Sequence, residues 1–345
     1  MALPMEWVYP VYAVLGLVLG LALERGRMCF VSAFRDVMYF RNPWLLNAVF
    51  ISIGASAVAA AVVSLATGSE PLLLGTSWYV FVGGVMFGFG VALAGACASG
   101  MLFRIPEGYL ANALELGGFS AGILIWAGYL FVPLAGSYGA PASIPHILGL
   151  PFYVYALLTG AGFTALGVYL GKYVPTRAGS SSTSWTLDPR RAWDPRLAGL
   201  VIAGVQIAIF AINPSGLLGF TAPFATFGGW VLEGVNVNMN SVPWIGGYYL
   251  GVYPLLILTV MAFVGAGLGA QFGKDFKLRI PRKRRRLLQA LFGGLLAGLG
   301  AGIGLGCNIG NFYAGFGLRM DLASLLFAPG LVSGIYLGIR VGSKL

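Results

Sequence analysis

The sequence predicts an all-α polytopic membrane protein of about nine transmembrane helices with short re-entrant or broken helices between them. Three observations carry this reading. Charged residues make up 9% of the chain against ~25% in globular proteins, hydrophobic residues make up 58%, and mean hydropathy is +0.84. Nine apolar stretches are long enough, or nearly so, to cross a hydrocarbon core that needs ~20 helical residues. Glycine, at 53 of 345 residues, is about twice as common as usual, as expected where helices pack closely or break. So few charges cannot wet two soluble domains, which excludes a cytosolic enzyme, a nucleic-acid binder and a disordered chain.

The stretches lie near 8–23, 44–68, 79–95, 109–133, 151–174, 197–212, 251–272, 287–306 and 322–342. The first runs into Glu24-Arg25-Gly26-Arg27 and has neither a basic leader nor a small-residue cleavage site, so it reads as a span and not as a secretory signal. An odd number of spans puts the termini on opposite sides. The basic residues then sort 20 to 1, with Arg319 alone on the far side. The positive-inside rule makes the crowded side cytoplasmic, with the N-terminus outside and the C-terminus inside a plasma membrane. The net charge of +10 is therefore an orientation signal, and the run Arg282 to Arg286 reads as a topology anchor meeting anionic membrane lipids. The aromatic residues Trp7, Tyr9, Trp78, Trp230, Trp244, Tyr248 and Tyr249 fall at span ends as interfacial belts.

Glycine also organises the chain. Four apolar helices with spaced glycines each end in a break: Gly16 to Cys29, Gly83 to Cys97, Gly199 to Asn213-Pro214, and Gly293 to Cys307. Two precede and two follow a polar, proline-bearing linker at 176–195, so residues 1–175 and 196–345 read as two membrane repeats. Five spans in the first half invert the second, the arithmetic of an inverted-topology transporter with binding near the midplane at interrupted helices.

All three cysteines occupy the same place in this pattern. None forms a C-x-x-C pair and the chain has one histidine, His146, in an external loop, so neither a disulfide framework nor a metal or other cofactor site is expected. The segments Arg27-Met28-Cys29-Phe30, Gly95-Ala96-Cys97-Ala98-Ser99-Gly100 and Gly306-Cys307-Asn308-Ile309-Gly310-Asn311 let the backbone leave one helix and begin another. Fresh helix N-termini offer unpaired N–H groups to an anion, and a thiol is a weak donor suited to a soft sulfur or selenium acceptor. A lone membrane cysteine is ordinarily a small apolar filler. Three at equivalent breaks point to a lined route, because irregular backbone at membrane depth must face protein or a cavity.

These stretches, with Phe34-Arg35-Asp36, Arg104 and Glu107-Gly108, resemble the YeeE/YedE membrane proteins, whose characterised type transports thiosulfate. The resemblance implies an hourglass-like monomer with a concavity on each face, and a relay of thiosulfate by S–H···S contacts along Cys29, Cys97 and Cys307. It requires the cysteine-bearing ends to dip into the membrane as re-entrant elements. It also implies a small TusA-like sulfur-carrier protein as a cytosolic partner.

Around the cysteines, Arg25, Arg27, Arg104 and Arg319 are candidate contacts for a dianion, with structural ion pairing as the alternative, as for Arg35 beside Asp36. Asn308 and Asn311 follow the third cysteine, and Thr221 follows the break that has none. Glu115 is the acid expected deepest in a span, either as a proton-coupling group or close to the interface. Two function classes compete: a transporter of thiosulfate or a related anion, and a membrane thiol enzyme passing sulfane sulfur to a cytosolic carrier. Transport is preferred, since the sequence displays no sulfur-donor cycle.

Overall fold

The computed structural model describes residues 5–130, 133–134, 136–173, 185–214, 217–233 and 243–344. Of the predicted linker, 176–184 lie outside these, as do the side chains of His146, Trp244, Tyr248 and Tyr249. The described chain is helical with three isolated β-bridges. Its helices are α1 (Met5–Arg25), α2 (Phe30–Phe40), α3 (Trp44–Thr67), α4 (Trp78–Ala94), α5 (Ala98–Arg104), α6 (Leu110–Ile125), α7 (Phe152–Tyr173), α8 (Pro195–Ile212), α9 (Thr221–Glu233), α10 (Pro243–Phe272), α11 (Arg284–Ile303) and α12 (Leu322–Lys344). Three segments wind as π-helices: π1 (Trp126–Leu130), which continues α6, π2 (Asn308–Tyr313) and π3 (Gly315–Arg319). Nine helical segments among the described residues are long and apolar enough to cross a membrane, matching the nine stretches of the sequence.

Where the helices touch, glycine sets the separation. Gly84 and Gly88 of α4 face Gly330 and Gly334 of α12 so closely that a Cβ on Gly88 would strike the Leu331 carbonyl, and one on Gly334 the Val85 carbonyl. Gly118 and Gly122 of α6 meet Gly294 and Gly298 of α11 in the same way, and Gly16 and Gly20 of α1 pack on α10. Glycines four residues apart lie on one helix face, so each stripe lets two backbones approach within reach of dispersion forces, which supply much of helix association in a bilayer.

Four helices end in a break followed by a second helix: α1 into α2, α4 into α5, α8 into α9, and α11 into π2. The first two breaks lie at the end of the bundle that holds the basic residues, where Arg25 pairs with Asp275 and Arg286 reaches the carbonyls of Leu93 and Ala94. The other two lie at the far end, where the Tyr138 hydroxyl donates to the Ile303 carbonyl at 2.7 Å and Gly219 faces Gly310. From opposite ends the second helices turn back into the protein and meet. Phe30 and Phe34 of α2 set their rings edge-on to Phe312 of π2, with centroids 5.9 and 5.7 Å apart. At that level Tyr313 donates to Ser52 Oγ at 2.6 Å, near the middle of α3.

After the break at Cys307 the new helix that the sequence predicts is wound as a π-helix. Gly310, Gly315 and Gly317 give that segment little side-chain bulk, and buried Arg319 anchors its end through Asp321 at 3.0 Å. π-Winding is rare, and where it occurs it is frequently found at functional sites. Glu115 sits in the second turn of α6, buried against α11, where Asn112 Nδ2 donates to it at 2.6 Å. It is an acid enclosed by protein.

Gly334→Leu should push α4 and α12 apart and destabilise the solubilised protein by about 1–3 kcal/mol, the usual range for overpacking, seen as a lower melting temperature. Gly162→Ala is the control, since a Cβ there meets nothing and alanine favours the helix.

Candidate functional site

Each cysteine precedes the first residue of a second helix. Cys29 caps α2, Cys97 caps α5 and Cys307 caps π2, all three with extended backbone and with carbonyls that accept the first intrahelical bond. The local construction is shared. Two residues before each cysteine the chain turns left-handed, at Arg27 (φ 49), Gly95 (φ 95) and Leu305 (φ 57). In the breaks at Cys29 and Cys307 this closes the preceding helix with the same pair of bonds: Met28 N to Leu23 O and Arg27 N to Glu24 O, and Gly306 N to Ala301 O and Leu305 N to Gly302 O. Glycine meets this backbone demand without strain at position 95, whereas Arg27 and Leu305 meet it with full side chains.

The carbonyls left over at the broken ends are satisfied by long donors. Arg104 Nη1 donates to Gly95 O at 2.6 Å, and Arg286 Nη1 to Leu93 O at 3.0 Å. Asn311 Nδ2 donates to the carbonyls of Gly304, at 2.5 Å, and Gly306, at 3.4 Å. Trp193 N donates to Arg25 O at 3.0 Å. One of these helix C-terminal ends, that of α4, thus receives two guanidinium groups, whose charge complements the negative end of the helix dipole.

The basic-end breaks come together. Cys29 Sγ lies 3.6 Å from Cys97 Sγ, which in turn lies 3.1 Å from Ser99 Oγ. Cys307, at the far end, makes no sulfur contact with either among the described residues. All three thiols are free and essentially inaccessible, at 1%, 0% and 0% exposure, so no solute touches them unless the surroundings move. Between the two ends Met28, Phe30, Leu218, Phe220, Ile309 and Tyr313 enclose a cavity of about 10 Å³, too small and too apolar for a water column.

The other expected site residues divide by environment. Asn308 is fully buried beside Cys307 with neither amide atom hydrogen-bonded among the described residues, and the buried Thr221 hydroxyl is also unpartnered among them. The breaks that carry them face each other, for a Cβ on Gly219 would lie 3.7 Å from the Gly310 Cα. Asn311 accepts from Arg319 Nη2 at 2.7 Å, and buried Arg319 pairs with Asp321 and Asn311, lining no open mouth. Arg25 is buried in a bidentate pair with Glu24 and a second with Asp275. Arg27 is half exposed, and Arg35 pairs with Asp36 at 2.9 Å.

Sequence reasoning missed Gln206 of α8, which is fully buried with its amide unpartnered among the described residues. The available signal was its position as the only long polar side chain after the first turn of that span. Ser99, against Cys97, gave no such signal, since serine is common in membrane helices.

Two outcomes follow from the geometry. A mild oxidant should join Cys29 to Cys97 and leave Cys307 out, and Gly100→Ala, whose Cβ would lie 3.0 Å from Cys29 Sγ, should slow the coupling, as read by peptide mapping. Leu305→Val should cost about 1–3 kcal/mol by placing a β-branched residue in left-handed backbone, whereas Leu305→Gly should be tolerated, both measured by thermal melting.

Comparison with known proteins adds independent findings. The model of a family described as sulphur transport matches residues 25–337. A thiosulfate transporter of Spirochaeta thermophila, TsuA, is 31% identical over 294 residues, covering 77% of this chain and 79% of the relative. The TsuA thiosulfate transporter of Escherichia coli is 26% identical over 298 residues, covering 76% and 75%. A probable transporter of Escherichia coli, YedE, is 37% identical over 94 residues, covering 27% and 23%. The family match begins just before the first cysteine break and ends within the last span, and the chain belongs to this sulphur-transport family, that of the YeeE/YedE membrane proteins.

Proposed function

We propose that this protein takes up thiosulfate, or a closely related sulfur or selenium anion, by passing it between thiols at three helix breaks. The observation that carries the reading is the placement of the cysteines. Two thiols lie 3.6 Å apart at one end of a closed layer and a third lies at the other end, each where a helix begins. Thiosulfate presents a soft terminal sulfur and hard sulfonate oxygens. A neutral thiol donates an S–H···S bond to the first, and first-turn N–H groups suit the second.

At the far end Cys307 receives the sulfur, and the unpartnered Asn308 amide and Thr221 hydroxyl serve the oxygens. Groups already buried without partners lose no bonds when the anion arrives, so they discriminate against solutes that cannot accept from them. The aromatic layer around Phe30, Phe220 and Tyr313 keeps water from following. Cys97 and Cys29 take the sulfur on the basic side. Arg104 fixes the Gly95 end in place, a positioning role in addition to its positive charge. Asn311 and Arg319 hold the third break in the same way.

The basic end faces the cytoplasm of the plasma membrane, with the N-terminus outside, and the two pairs of breaks belong to inverted repeats at 1–175 and 196–345. Support comes from the charge sorting and from breaks that open at opposite ends. A TusA-like carrier docks on the basic face, where Lys274 to Arg286 supply charge complementary to an acidic surface. The names of the relatives support thiosulfate as substrate.

Cys97→Ala and Cys307→Ala should each lower labelled-thiosulfate uptake into proteoliposomes by about tenfold or more, while size-exclusion profiles stay unchanged. That loss corresponds to removing about 1.4 kcal/mol or more of stabilisation along the route. Uptake at the parental rate in both variants would remove the relay. Intact mass after thiosulfate exposure should show no persulfide gain of about 32 Da, and a stable gain would favour the thiol enzyme.

A further inference from the structure

At the basic end five side chains form a cluster whose charges do not balance pairwise. Arg25 is held by Glu24 and by Asp275, the latter at 2.5 Å. Arg27 lies 3.6 Å from Asp275 and 3.4 Å from Glu107. Two guanidiniums are thus shared among three carboxylates. Glu107 is the least satisfied of the three. It is 1% exposed, and neither of its oxygens accepts a hydrogen bond among the described residues.

Its backbone is fixed, because its carbonyl accepts from Lys277 N and from Arg279 Nη1, both at 3.1 Å. These bonds bridge the loop after α5 to the segment after α10 and fix the Cα from which the buried carboxylate extends. Its direct ion-pair partner, Arg27, is 52% exposed and stands two residues before Cys29 in left-handed backbone.

We propose that Glu107 is a proton site that governs anion release at the basic mouth: ionised, it holds Arg27, and protonated, it yields Arg27 to the substrate. The inference rests on the transport reading above and extends it to the driving force. The carboxylate and a departing dianion compete for one guanidinium, so a proton on Glu107 and an anion on Arg27 occur together. Loss of that proton returns Arg27 to Glu107 and expels the anion.

The surroundings favour titration. Burial pushes the Glu107 carboxyl above the ordinary carboxylate range, Glu24 and Asp275 push it the same way, and Arg27 and Arg279 oppose them. The charged form is the one burial penalises, so falling pH neutralises Glu107 sooner than a solvent-exposed glutamate. Arg279 is itself occupied by the Glu107 and Asp275 carbonyls and by the Tyr109 ring, and it does not substitute for Arg27.

The test is labelled-thiosulfate binding to the purified full-length protein from about pH 5 to about pH 8. Removal of one charge near 4 Å at a wet surface changes affinity about five- to tenfold. The parental protein should bind that much more weakly at the alkaline end. Glu107→Gln should bind tightly with a flat profile, Arg27→Gln weakly with a flat profile, and Glu107→Asp should keep a pH dependence, which separates titration from a folding defect. A Glu107→Gln profile identical to the parental one overturns this proposal and leaves the transport reading intact. Absence of binding by the parental protein at every pH overturns both.

Discussion

A helix interrupted inside a membrane exposes backbone N–H and C=O groups that hydrocarbon cannot satisfy, at several kcal/mol each if left unpaired. The whole molecule is arranged around four such interruptions. Guanidiniums of Arg104 and Arg286, the amide of Asn311, the hydroxyl of Tyr138 and the backbone of Trp193 meet the carbonyl side of the broken ends. The N–H side, at the first turns of α2, α5, π2 and α9, is where the chain places its thiols, an amide and a hydroxyl. The two sides differ: protein donors close the carbonyl side, and on the other the Asn308 amide and the Thr221 hydroxyl have no partner among the described residues.

That arrangement also accounts for the charges. Basic residues that look like substrate contacts in one dimension are mostly structural in three. Arg104 and Arg286 hold helix ends, Arg25 and Arg319 are buried in ion pairs, and Arg35 pairs with its neighbour. Removing one partner from a buried pair such as Arg25–Glu24 or Arg319–Asp321 strands the other. Arg27 is the exception, half exposed between two carboxylates and next to a cysteine break.

Closeness of approach comes from glycine. The stripes on α4 with α12, α6 with α11, and α1 with α10 bring backbones together, so that second helices from both ends meet in a layer only a few aromatic rings thick. The layer between the two ends encloses only a cavity of about 10 Å³ and holds no open pore among the described residues. Membrane helices gain little from apolar burial among lipid tails, and tight contact along glycine faces replaces it.

Hydropathy alone located the nine spans, and spaced glycines followed by a cysteine, or in one case by Asn213-Pro214, located the breaks, because both signals are local: a span needs a run of apolar residues and a break needs small or helix-ending ones. The break at Cys307 could not be foreseen as π-wound, since the wider winding leaves no mark in composition. Nor could the left-handed turns at Arg27 and Leu305, where neither residue type announces such backbone. Partnership was hidden for a different reason. Cys29 and Cys97 are 68 residues apart, Arg27 and Glu107 are 80 apart, and the isolation of Gln206, Asn308 and Thr221 from hydrogen-bond partners depends on what other helices bring beside them. The sequence by itself determined where the chain crosses and where it breaks. Only the tertiary structure decided which thiols and charges meet, because those distances are set by helix packing between segments remote in the chain.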